Sequence, residues 1–106
     1  MDMSQMMQQA KQFQQRMADL QDEMANRQMT STVGGGMVTV TVNGKNELLA
    51  LTIEPELLTP ADPAMLQDLI IAGVNDAMRK AREAMQAEMR KLTGGLNFPG
   101  LSGLFG

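Results

Sequence analysis

From Met3 to Met24 an apolar residue recurs every three or four positions without a break: Met3, Met6, Ala10, Phe13, Met17, Leu20 and Met24. That spacing lines one face of an α-helix, predicted over residues 3–28. Gln8, Gln9, Gln12, Gln14, Gln15, Asp19, Asp22 and Glu23 fill the other faces. Asp2 is placed to cap its start, with Gln5 at the reciprocal capping-box position. At 1.5 Å per residue such a helix is ~40 Å long, more than a small sheet can cover. Part of the seam therefore calls for another helix or a second subunit.

After Gln28 the period changes. Met29–Val33 is Thr-rich and reads as a short strand ending at Gly34, Gly35 and Gly36. From Met37 to Val42 the chain alternates, with Val38, Val40 and Val42 on one face and Met37, Thr39 and Thr41 on the other. Asn43-Gly44 then signals a tight hairpin, because both residues tolerate positive φ. Leu48–Ile53 is the return strand, with Leu49, Leu51 and Ile53 expected to match the valine face, and Pro55 stops it.

Asp62-Pro63 pairs an N-cap with proline at the first helical position. The second helix is predicted to run to about Leu92, turning Leu66, Leu69, Ile70, Val74, Ala77, Ala81, Met85 and Met89 inward. Arg90 and Lys91 suit its last turn, and Gly94 ends it. The expected fold is α+β: a long N-terminal helix, a three-stranded antiparallel meander and a long C-terminal helix. Residues 1–93 form the expected single domain. Residues 94–106, with five glycines and no apolar period, read as a flexible tail. With Phe13 the one aromatic residue before that tail, the core is thin, and the size and seam length point to a homodimer.

Most catalytic chemistry is excluded by what the chain lacks. There is no His and no Cys among 106 residues, which removes imidazole bases, thiol nucleophiles and the usual zinc ligands. No EF-hand spacing occurs among the carboxylates, so no metal or cofactor is expected. Gly34–Gly36 opens onto a strand rather than a helix N-terminus, so it makes no phosphate loop and reads as a strand bend. Gly44-Lys45 is no Walker loop, because Thr39 stands where its first glycine belongs and Asn46 where it needs Ser or Thr. Neither a signal peptide nor an apolar run of membrane-spanning length is present, which points to the cytoplasm. The reading is therefore not an enzyme, with no small-molecule substrate and no membrane.

The net charge of −3 averages unlike regions. Residues 46–76 hold six carboxylates and no cation, whereas 77–106 hold five cations against two carboxylates. Helical spacing pairs Asp76 with Lys80, Arg79 with Glu83, Glu88 with Lys91, Arg16 with Asp19, and Glu23 with Arg27. Lys11, Arg82 and Arg90 are left over. At 100° per residue Arg79, Arg82, Gln86 and Arg90 share one ~80° sector. Such a stripe can follow a phosphate backbone without reading bases. The alternative is a protein-interaction module that uses a Met-rich helical surface, extended by Met7, Met65 and Met78, together with the Leu/Phe tail.

Gly34-Gly35-Gly36-Met37-Val38-Thr39-Val40-Thr41-Val42-Asn43-Gly44, then Ile53-Glu54-Pro55-Glu56, carry a family likeness. So do Met65-Leu66-Gln67-Asp68-Leu69-Ile70, Ala72, Val74-Asn75-Asp76-Ala77 and Arg79-Lys80. Over nearly its whole length the chain resembles the YbaB/EbfC family of bacterial nucleoid-associated proteins. The resemblance implies a tweezer-like homodimer whose long helices project from a joined β core. It also implies duplex DNA as partner, bound with loose sequence preference, and a nucleoid role in organisation and gene regulation. Carried over to this chain, the implied DNA-binding residues are Lys11 and Arg16 on the first helix and Arg79, Lys80, Arg82, Arg90 and Lys91 on the second. The first helix departs from the pattern in offering mostly Gln, which can hydrogen-bond phosphate or base edges but releases no counterions.

Overall fold

A computed structural model describes residues 2–58 and 62–94. Helix α1 (Met3–Asn26) is followed by strands β1 (Gln28–Val33), β2 (Val38–Asn43) and β3 (Leu48–Ile53). A 3₁₀ turn (Pro55–Leu58) precedes helix α2 (Pro63–Thr93). The strands pair antiparallel in the order β1-β2-β3, so the fold is α+β with the expected meander between two long helices. Residues 95–106, most of the expected tail, lie outside the described residues; Gly94 closes the last turn of α2.

Both helices start as their caps predict. Asp2 accepts from the Gln5 backbone N–H at 2.8 Å, and Asp62 from that of Met65 at 3.0 Å. The end of α1 comes two residues earlier than its pattern suggested, and its carbonyls are satisfied by the second hairpin. Gly44 N–H donates to Met24 O (2.8 Å) and Arg27 O (3.0 Å), while Asn43 Nδ2 donates to Ala25 O (3.1 Å). Three of the orphan carbonyls at this junction are thereby used without a glycine cap.

The two hairpins correct the expected turns. Gly34, Gly35 and Gly36 are not a bend in a strand but the β1–β2 turn itself, with φ of 64°, 68° and 97°. Three consecutive left-handed residues admit little but glycine. At the second hairpin Asn43 belongs to β2, and the positive φ (63°) falls on Asn46. Asn43 Oδ1 accepts from the backbone N–H groups of Lys45 and Glu47, both at 3.0 Å, and thereby shapes the longer turn. Gly44 is required for a different reason. A Cβ there would lie 2.6 Å from Met24 Cε and 2.7 Å from Met24 O.

The core is the valine strip of β2 under α2. Val38, Val40 and Val42 are fully buried against Gly73, Ala77 and Ala81, a row of small residues four apart that lets the helix sit close. A Cβ on Gly73 would stand 2.9 Å from Val40 Cγ2. Helix α2 packs mainly on β1 and β2 and leaves β3 largely uncovered. A bulge between Thr41 and Val42 places Leu48, rather than the expected Leu49, opposite Val42. Leu51 and Ile53 face Val40 and Val38 as anticipated. Leu48, Leu49 and Leu51 remain 50%, 48% and 40% exposed, an apolar edge adjoining the core. In α1 only Leu20 and Met24 are buried, and Met3, Met6 and Met7 are exposed. The helices extend well past the sheet, giving a molecule of 69 × 24 × 16 Å.

Candidate nucleic-acid interface

Helix α2 separates its faces cleanly. Ala77 and Ala81 bury one side, and at 100° per residue Arg79, Arg82, Gln86 and Arg90 fall on the opposite side. Arg82 and Arg90, two turns or ~12 Å apart along the axis, are exposed. Neither side chain forms an ion pair or a hydrogen bond among the described residues.

The neighbouring cations are engaged. Arg79 bridges Asp76 (2.6 Å) and Glu83 (2.9 Å). Lys80 Nζ donates to Thr30 O at 3.0 Å and lies 3.7 Å from Asp76. Asp76 also accepts from the buried Ser31 hydroxyl at 2.6 Å. That hydroxyl first, and the Arg79 guanidinium next, hold the Asp76 carboxyl at about 2, below its usual 3.8. In turn Asp76, followed by Glu83, raises the pKa of Arg79. These two cations hold α2 to β1 and to its own surface, whereas Arg82 and Arg90 hold no other described side chain.

On α1, Lys11 is exposed and has no ion-pair partner among the described residues. Arg16 lies elsewhere, in a cleft between the helices lined by Asp19, Leu20 and Glu23 of α1 and Glu88, Lys91 and Leu92 of α2. The seven residues implied by resemblance thus fall into distinct places. Arg82 and Arg90 share an outer ridge with Arg79, Arg16 shares a cleft with Lys91, Lys80 is tied to β1, and Lys11 stands apart.

Two expected helix pairs are replaced. Asp19 takes Gln15 Nε2 at 3.0 Å instead of Arg16. Arg27, assigned by spacing to Glu23, instead reaches across to Glu88 at 3.3 Å. Arg27 lies just beyond the last turn of α1, in extended backbone, so the i,i+4 geometry needed for Glu23 is absent. Sequence spacing gave no signal for this pairing between helices, and Arg27 was not among the implied DNA-binding residues.

No group of three or more carboxylates among the described residues is arranged to hold a metal ion, and no described helix is long and apolar enough to cross a membrane. Residues 1–96 match the model of the YbaB/EbfC DNA-binding family. The chain belongs to that family. It is a family of DNA-binding, nucleoid-associated proteins and not a class of enzymes. A nucleoid-associated protein of Clostridium acetobutylicum is 50% identical over 100 residues, covering 94% of this chain and 89% of that protein. One from Pelotomaculum thermopropionicum is also 50% identical over 100 residues, covering 94% and 95%. The crystal structure of an uncharacterized Helicobacter pylori protein shares the fold with a TM-score of 0.80 at 28% identity, covering 87% of this chain and 97% of that one.

Proposed function

We propose that this family member binds duplex DNA as a homodimer, mainly through backbone phosphates, and serves nucleoid organisation and gene regulation in the cytoplasm. The observation that carries the reading is the pair of arginines, Arg82 and Arg90, whose side chains have no partner among the described residues, on the face of α2 opposite its buried row. A helix of 31 residues is ~46 Å long, more than one turn of duplex at ~34 Å. Cations on such a helix can meet successive phosphates, which fixes position on DNA without specifying sequence. Arg79 adds to this ridge where its carboxylate partners can be exchanged for phosphate, and Lys11, Arg16, Lys80 and Lys91 add contacts from other faces of the two helices. The naming of the relatives as nucleoid-associated supports the same location here. No catalytic step, cofactor or small-molecule substrate enters this function.

The uncovered strip on β3 supports the dimer. Leu48, Leu49 and Leu51 continue the apolar core to an open sheet edge, and a second copy is the occupant that would bury them and join the β layers. Fluorescence anisotropy with random-sequence duplex across a salt series tests the binding. Expected is a linear fall of log K with log salt and little dependence on sequence. Absence of binding at low salt, or binding indifferent to salt, contradicts it.

One observation favours a second reading. Met3, Met6 and Met7 present flexible apolar side chains along the outer half of α1, a surface suited to a protein partner. Deletion of residues 95–106, with their Leu and Phe side chains, would then abolish capture of that partner. Intact DNA binding by the truncated chain, with no partner lost, would set this reading aside.

A further inference from the structure

Glu88 joins two cations that belong to different parts of the fold. Its Oε1 accepts from Arg27 Nη1 (3.3 Å), just past the end of α1, and from Lys91 Nζ (3.2 Å), one turn farther along α2. The carboxylate side chain is 24% exposed, whereas Arg27 and Lys91 are 52% and 74% exposed. The anion is thus set between the helices, with cations reaching around it from the solvent side. Arg16 lines the same cleft. Asp19 and Glu23 line it too, and Asp19 is engaged by Gln15 Nε2.

A carboxylate oxygen that receives charged N–H donors from Arg and Lys occupies the place a phosphate oxygen would take. We propose that Arg27 and Lys91 form a phosphate-binding site where the end of α1 meets α2, and that Glu88 fills it as an internal competitor. In naming the duplex backbone as the source of that phosphate, the proposal rests on the DNA-binding reading. It adds a phosphate contact on the α1-facing side of α2, away from the Arg82/Arg90 ridge, and assigns a restraining role to a carboxylate. Arg27 and Lys91 already have Glu88 as counterion, so they neutralise little of the duplex charge and release few of its condensed cations. Removing that carboxylate turns both into ordinary contributors to counterion release.

Glu88→Gln keeps the side chain's size and removes its charge. The variant should bind random duplex more tightly at low salt, with a plot of log K against log salt steeper by about 0.9 for each released cation, or up to about 1.8 per protomer. In an Arg27→Ala/Lys91→Ala background the same substitution should leave the slope unchanged. Glu54→Gln, which removes a carboxylate outside the cleft, should not steepen it. A readout independent of DNA is titration with inorganic phosphate, followed by NMR at Arg27 Nε–H and the Lys91 ammonium. Saturable shifts in Glu88→Gln, much weaker in the native chain, support the site. Equal phosphate responses, together with an unchanged slope in a variant that still binds duplex, overturn it and leave the DNA-binding reading standing. Phosphate saturation in Glu88→Gln without duplex binding by either protein keeps the site and discards DNA as its source.

Discussion

The Ser31 hydroxyl donates to Asp76 Oδ2 at 2.6 Å and so ties β1 to α2 at the margin of the core. Asp76 carries the same junction outward to Arg79 and Lys80. Because its folded pKa, about 2, lies below the ordinary 3.8, the ionised form favours the folded state. This contribution is complete above the unfolded value and is lost as pH falls through the folded one. Acid unfolding followed by circular dichroism should therefore show a loss of stability between about pH 4 and pH 2 that is shallower in Asp76→Asn. Identical acid profiles for the two proteins contradict this assignment.

Periodicity revealed both helices and strands β2 and β3, because apolar residues recur at each element's own spacing, and the Thr-rich composition of Met29–Val33 revealed β1. Periodicity also separated the Arg82/Arg90 face of α2 from the Ala77/Ala81 face. What it missed depends on contacts between elements. The bulge that displaces Leu49 is a matter of pairing, and Arg27 finds Glu88 only because two helices distant in sequence run close together. Gly44 looked like a turn residue by its Asn-Gly dipeptide, yet its need for glycine comes from Met24, twenty positions earlier.

Gly44→Ala should detach the end of α1 from the second hairpin. The new methyl would meet Met24 backbone as well as its side chain, so simple side-chain movement cannot make room. A cost on the order of 1–3 kcal/mol is expected for such overpacking, read as a lower urea midpoint at unchanged m. Amide exchange should rise at Met24–Arg27. Native-like stability with unchanged exchange would show that the contact is not restrictive.

Leu51→Lys places a charge on the uncovered strip beside Val40 without entering the α2 contact. In light scattering at micromolar concentration the native chain should have twice the monomer mass, and the variant should shift towards one monomer mass. Circular dichroism should retain the helices of both. A monomeric native chain, or a variant that stays fully dimeric, contradicts the assignment of β3 as the joining edge.

Arg79→Ala removes a cation already bridged by Asp76 and Glu83, so it separates ridge position from ridge availability. For each protomer on the duplex its salt slope should fall by less than one, while loss of either Arg82 or Arg90 should lower it by about one. Equal effects of all three substitutions would show that the carboxylate partners of Arg79 do not restrain it.

The most direct test of the central claim is the salt dependence of duplex binding by Arg82→Ala/Arg90→Ala beside the native chain. The two proteins should have the same helical content. The variant should bind more weakly on every duplex sequence, with a slope shallower by about two for each protomer in contact with the duplex. A slope and affinity unchanged by the double substitution would contradict the claim that the outer ridge of α2 holds the phosphate backbone.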